Sequence, residues 1–240
     1  MKNIIFTACF LTVLLSSISH PQQNPEAQKY LNKAIAEYKQ KEFKKAIDDM
    51  STAIRLNPNY AEAYFNRGLC KYNSGDFKGA VQDYDSAIDL KLIYPEAYYN
   101  RGNARLALKD YSMSLKDYNR ALEINSNYAE VYNKRGCLKA AQLDFKGAMQ
   151  DHNKAIQMKP NLAEAYFDRA NTKYKLEDYR GAIQDFNKTL ELTPDDPEVF
   201  YARGQAKFNI GDKDGACLDW SKAGELGMVE AYILIKEKCK

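Results

Sequence analysis

The chain has 240 residues, 28% charged and 45% hydrophobic, the ordinary balance of a folded soluble protein. A net charge of +3 is too small to argue for nucleic acid or an anionic membrane surface as partner. Two histidines and five unclustered cysteines leave no credible zinc set, and no glycine-rich phosphate loop follows a strand pattern, so neither metal nor cofactor is expected.

The N-terminus opens on Met1-Lys2-Asn3, a short basic start, and continues with an apolar run over 4–15 and small residues up to Ser19. This is the layout of a signal peptide spanning 1–19, with Ser17 and Ser19 as the small residues before the cut. The apolar run is shorter than the roughly 20 residues a spanning helix needs. Cys9 has most of the apolar run after it, which argues against a lipoprotein anchor. The expectation is an exported protein, periplasmic or secreted, with no membrane span in its mature part and a linker over 20–26.

From residue 27 the sequence repeats every 34 residues. The units are 27–60, 61–94, 95–128, 129–162, 163–196 and 197–228, and a remnant over 229–240 begins a seventh as a capping helix. Counting within each unit, position 4 is Tyr30, Tyr64, Tyr98, Tyr132, Tyr166 and Phe200. Position 8 is Ala34, Gly68, Gly102, Gly136, Ala170 and Gly204; position 20 is Ala or Ser114; position 27 is Ala or Thr189. Position 24 is Met50, Tyr84, Tyr118, His152, Phe186 and Trp220. Spacings of three, four and seven put these residues on facing stripes of two helices, so each unit reads as a helical hairpin with its break at positions 14–17. Asp76, Asp110, Asp144, Asp178 and Asp212 stand just before the second helices, where a carboxylate accepts from free N–H groups. Pro58, Pro160 and Pro194 close second helices at position 32. Asp195 and Asp196 read as a solvated turn between units.

This pattern resembles the tetratricopeptide repeat (TPR) family, with a large aromatic at 4, small residues at 8, 20 and 27, an aromatic at 24 and Pro at 32. The resemblance covers 27–228. It departs from the family at Leu92, Ser126 and Met228, which replace Pro, and at position 7, where Lys or Arg replaces the usual Leu. The resemblance implies an all-α, right-handed superhelical solenoid whose first helices line a concave groove.

Glycine at position 8 costs roughly 1 kcal/mol in a helix. Close approach of the two helices, with position 20 facing it, is the expected reason. Position 7 is Lys33, Arg67, Arg101, Arg135, Arg169 and Arg203, and position 23 is Asp49, Asp83, Asp117, Asp151, Asp185 and Asp219. These positions are symmetric about the hairpin turn, so antiparallel helices set them side by side. The same Asp and the next unit's Arg are symmetric about the turn between units. The expectation is a ladder in which each Asp sits between two cations, so that Arg67 answers both Asp83 and Asp49. Such a ladder fixes register and stacking more than it adds stability.

His152 holds the aromatic position 24 and reads as a core residue. Cys70 reads as a small core residue, and Cys137 is too far from it to bond. Cys217 and Cys239 lie at similar distances on either side of the turn before the last helix. They come level on antiparallel helices and form the disulfide candidate of an oxidising compartment.

By the resemblance, the groove is lined by Phe65, Tyr99, Phe167 and Tyr201 at position 5, and by Asn66, Asn100, Lys134 and Asp168 at position 6. Asn103 and Asn171 at position 9 and Tyr38, Tyr72, Tyr174 and Phe208 at position 12 complete it. Rings with amides suit a protein segment or extended peptide. Glu62, Glu96, Glu130, Glu164 and Glu198 make its edge acidic, which argues against nucleic acid and against a clamp for a terminal carboxylate. With no nucleophile–base pair in view, the expected role is a non-enzymatic protein-binding module. The alternative is an envelope assembly scaffold that uses its outer faces and ends.

Overall fold

The computed structural model describes residues 24–239. The expected signal peptide at 1–19 and the start of the linker lie outside the described residues.

Among the described residues the chain forms thirteen helices and no strand. The first helices of the units are α1 (Pro25–Lys39), α3 (Ala61–Asn73), α5 (Pro95–Ala107), α7 (Ala129–Ala141), α9 (Ala163–Lys175) and α11 (Pro197–Asn209). The second helices are α2 (Phe43–Leu56), α4 (Phe77–Leu90), α6 (Tyr111–Ile124), α8 (Phe145–Met158), α10 (Tyr179–Leu192) and α12 (Lys213–Glu225), and α13 (Glu230–Lys238) follows. None is long and apolar enough to cross a membrane.

Local chemistry sets the helix ends. Asp76, Asp144 and Asp178 each accept from the backbone N–H three residues on at 2.9 Å, and Asp110 and Asp212 do the same at 3.2 and 3.0 Å. Unit one has Glu42 in that place, and it makes no such bond. Asn24 caps α1 in the same manner, and Pro25 supplies its fixed φ at the first helical position. Asp196 caps α11 by accepting from the Glu198 N–H at 3.0 Å.

Each hairpin turn passes through one left-handed residue: Lys41, Gly75, Lys109, Leu143, Glu177 and Gly211, with φ between 62° and 86°. Glycine takes that conformation freely at two of the six turns. Leu143 takes it with its side chain 75% exposed.

The core runs as a continuous seam between the two helix layers. The small residues at positions 20 and 27 are buried in every unit. Glycine at position 8 makes room chiefly for the ring at position 24. A Cβ on Gly68 would stand 2.7 Å from the Tyr84 ring, and one on Gly204 would stand 2.6 Å from the Trp220 indole. Where position 8 is Ala34 the facing residue is Met50, whose flexible chain accommodates the methyl group.

Each helix packs on its sequence neighbours. First helices also touch the next first helix, as α1 does α3, α3 does α5, α7 does α9 and α9 does α11. The first helices therefore occupy the inner side of a right-handed all-α solenoid.

Candidate functional site

Successive residues of a helix are about 100° apart. Positions 5, 9, 12 and 13 therefore share one face of each first helix, while positions 4, 7 and 11 share the opposite face. The inner groove and the charged ladder lie on opposite sides of the same helices.

On the ladder side the arginine of each unit holds its own aspartate at two points. Arg135 donates from Nε and Nη2 to Asp151 at 2.8 and 2.7 Å. Arg67–Asp83, Arg101–Asp117, Arg169–Asp185 and Arg203–Asp219 make pairs with Nη2–O distances of 2.6 to 2.7 Å. Each guanidinium also lies 5.2 to 5.5 Å from the ring at position 4.

The second cation on each aspartate is not the next unit's arginine, as the sequence symmetry suggests. It is the residue four positions on in the same helix: Lys71, Arg105, Lys139, Lys173 or Lys207, at 2.7 to 2.9 Å. The rung between units runs through position 25 instead. Arg67 donates to Ser51 rather than to Asp49, Arg101 reaches Asp85, and Arg135, Arg169 and Arg203 reach Asn119, Asn153 and Asn187. Positions 23 and 25 are about 200° apart on their helix, so only one of them faces back into its own hairpin. Asp49 in unit one pairs with Lys33 at 2.7 Å.

On the groove side the expected lining residues are all half-buried. Phe65 packs on Tyr84 and Tyr94 at ring separations of 5.9 and 4.9 Å, and Tyr99 on Tyr118 and Tyr128 at 6.1 and 5.3 Å. Phe167 packs on Phe186, and Phe208 on Trp220. Tyr201 joins the Trp220 cluster, and its carbonyl oxygen accepts from the indole N–H at 3.3 Å. Tyr72 and Tyr174 stand edge-on to Phe77 and Tyr179. These rings wedge neighbouring helices and leave part of each ring open on the inner face.

The amides are partly committed. Asn66 and Asn100 donate to the carbonyls of Glu62 and Glu96 one turn back, at 2.7 and 2.8 Å. Asn103 accepts from the Tyr118 hydroxyl at 2.7 Å. Lys134 lies 3.5 Å from Glu164 across the unit boundary. Burial pulls its pKa down, but the negative charges around it, Glu164 first and Asp168 among the others, together outweigh this and raise it.

Unit four breaks the aromatic pattern. Asn133 stands at position 5, Ala140 at position 12 and His152 at position 24, where other units carry large side chains. The result is a polar cluster at the junction with unit five. The imidazole Nδ1 of His152 lies 2.8 Å from Asn133 Oδ1, so it carries the proton of that bond. The Asn133 amide donates onward to Asp168 Oδ2 at 2.6 Å, and Thr172 Oγ1 lies 3.4 Å from the other ring nitrogen. Burial lowers the His152 pKa, against the pull of Asp168 and Asp151, and keeps the ring neutral near pH 7. Burial also pushes the neighbouring Cys137 thiol well up, and lifts Cys70 to about 11, so both thiols are inert.

Above this cluster opens a cavity of about 440 Å³, walled by Cys137, Ala140, Leu143 and Phe145 on one side and by Asp168, Asn171 and Lys175 on the other. Asp168 is the position-6 groove residue expected from the repeat, whereas Ala140, Phe145 and Lys175 were not singled out by it. The signal was available: three departures from the aromatic positions fall in a single unit.

At the C-terminal end Cys217 and Cys239 are bonded, with Cα atoms 5.8 Å apart, and tie α13 to α12. Among the described residues no group of three or more His, Cys, Asp or Glu side chains is placed to hold a metal ion.

Paired helices in tandem, stacked through a repeating ion-pair ladder, define a helical repeat solenoid. A family model described as "Tetratricopeptide repeat" matches residues 95–128, and one described as "TPR repeat" matches 34–75, 71–109 and 170–211. The chain belongs to the tetratricopeptide repeat family. Solved structures of the same fold include pilF of Pseudomonas aeruginosa, with a TM-score of 0.78 at 16% identity, covering 90% of this chain and 99% of that one. MamA from Desulfovibrio magneticus RS-1, from residue 41 to its end, aligns with a TM-score of 0.65 at 20% identity, covering 72% of this chain and 97% of that one. YrrB, described as "a TPR protein with an unusual peptide-binding site", aligns at 0.61 and 21% identity, covering 78% and 97%. No curated protein matches the chain.

Proposed function

We propose that the chain is a non-enzymatic module that binds an extended peptide or protein segment along its inner groove. The observation that carries this is the set of half-buried rings, Phe65, Tyr99, Phe167 and Tyr201, at one position of four of the six inner helices. Half-buried aromatic side chains already held by their neighbours give contact area at small entropic cost. The description of YrrB as peptide-binding makes the same use of this fold a natural one. The glutamates at the groove edge would repel a phosphate backbone. Export fits two features, the basic–apolar–small order of residues 1–19 and the Cys217–Cys239 disulfide, which persists in oxidising compartments.

The test is partner capture by the wild-type chain against Tyr99→Ala and Phe167→Ala, with melting followed in parallel. Capture should fall at least about fivefold, since a buried aromatic anchor contributes over about 1 kcal/mol. Undiminished capture by folded variants would transfer binding to the ends and outer faces. One observation favours that second reading: α13 leaves Tyr232 and Ile233 52% and 58% exposed, an apolar face beyond the six units.

A further inference from the structure

The cavity at the junction of units four and five has the outline of a missing ring. In units one, two and five a tyrosine at position 12 packs on the ring at position 17: Tyr38 on Phe43, Tyr72 on Phe77 and Tyr174 on Tyr179, at 5.2 to 5.7 Å. In two of these the phenol oxygen accepts a hydrogen bond from the next first helix. Asn73 donates to Tyr38 at 3.1 Å and Asn209 donates to Tyr174 at 2.9 Å, each from position 13. Unit four keeps the receiving ring, Phe145, but carries Ala140 at position 12. Position 13 of the following helix is Lys175, whose side chain borders the cavity where the sister units set their amide donor.

We propose that this cavity is the anchor pocket of the groove and takes a tyrosine side chain from the bound segment. The ring stands against Phe145 in the space Tyr38, Tyr72 and Tyr174 fill elsewhere, and its hydroxyl oxygen accepts from the Lys175 ammonium. This rests on the reading of the groove as a peptide site and names what the peptide must carry.

The chemistry selects among side chains. Ala140 and Phe145 make apolar walls that favour a ring over a carboxylate. Lys175 repels a lysine or arginine. Phenylalanine fills the space but brings no oxygen to the Lys175 ammonium, and an indole N–H offers only a donor to a donor. A cavity of about 440 Å³ lies in the range of small ligand sites and has room for one phenol with its backbone at the mouth.

The test uses N-acetyl-tyrosinamide, N-acetyl-phenylalaninamide and N-acetyl-leucinamide as probes on the full chain, with the backbone amide signals of Ala140 and Lys175 followed by NMR. Tyrosinamide should shift both signals saturably and bind roughly tenfold more tightly than phenylalaninamide, the factor one hydrogen bond to a charged donor provides. Lys175→Met should remove that preference and keep ring binding. Ala140→Tyr fills the pocket from within, as three sister units do, so it should melt no lower than wild type and bind no probe. The proposal is overturned if the leucine probe binds as well as the tyrosine probe, or if neither signal saturates. It is equally overturned if the two signals shift with protein concentration alone, which makes the occupant a second copy. The two readings fail separately. Partner capture lost in Tyr99→Ala with no tyrosinamide binding leaves the groove standing and removes the anchor. Tyrosinamide binding that Ala140→Tyr abolishes, with capture intact in every groove variant, leaves the pocket and removes the groove.

Discussion

Arg135 grips Asp151 through two parallel hydrogen bonds of 2.8 and 2.7 Å, and Lys139 closes the far side of the same carboxylate at 2.8 Å. Asp151 is buried, and its charge is tolerated only because both cations stay in place. Arg135→Leu leaves the carboxylate with Lys139 alone and should destabilise the chain by about 2–4 kcal/mol, below the upper end for a wholly unpaired buried charge. Arg135→Leu with Asp151→Leu should cost less than the sum of the two single changes, by at least about 1 kcal/mol. Urea unfolding of the four proteins measures this coupling, and additive costs would show that the ladder holds no such pair.

Each hairpin was legible because its contacts repeat. Tyr64, Gly68, Ala80, Tyr84 and Ala87 recur at fixed offsets, and offsets along two antiparallel helices translate directly into which residues lie level. Rotation about the helix axis was less legible. Asp49 and Ser51 lie almost equally far along α2, so symmetry about the turn cannot choose between them. The about 200° between them decides that Arg67 meets Ser51. The cavity escaped for a different reason. Ala140 is unremarkable as a residue, and its meaning comes from the ring it omits beside Phe145.

Tyr84 and Tyr118 occupy the same place in successive units with different fates. The Tyr118 hydroxyl donates to Asn103, whereas the Tyr84 hydroxyl is buried with no hydrogen-bond partner, because Leu69 stands where Asn103 does. A buried unpaired hydroxyl costs roughly 1–3 kcal/mol. Tyr84→Phe should therefore leave stability unchanged or raise it by about 1 kcal/mol. Tyr118→Phe should lower it by about 1 kcal/mol. Thermal melts of the two variants check the opposite signs, and equal losses in both would contradict the account.

The Cys217–Cys239 bond closes a segment with a sequence separation of 22. Chain entropy alone assigns such a bond about 3 kcal/mol. The helix it secures, α13, has a single fully buried residue, Ala231, with Leu234 and Ile235 half-buried against the Trp220 cluster. Cys217→Ser with Cys239→Ser should fray α13 first. Hydrogen exchange over 230–238 should then rise well above that of the wild type, while exchange in α3 to α10 stays as it was. Uniform loss of protection along the chain would mean that the bond supports the whole solenoid rather than its end.

His152 gives the stability a pH dependence of known sign. Its ring is buried, and burial holds its pKa below the ordinary value of 6.5. In the unfolded chain the same imidazole binds a proton near pH 6.5. Above that pH both states carry neutral rings and the group has no effect on the slope. As pH falls through 6.5 the unfolded state gains a proton that the folded state refuses, so stability drops, and the drop ends only at the lower folded pKa. The loss approaches about 1.4 kcal/mol per pH unit between the two values. His152→Tyr restores the residue that faces glycine in units two and three, where Gly68 meets Tyr84 and Gly102 meets Tyr118, so Gly136 leaves room for it. Unfolding by urea at pH 7.5, 6.5 and 5.5 should show the wild type weakening toward acid more steeply than this variant. Parallel curves would mean that His152 takes up its proton in the folded state, which its burial opposes.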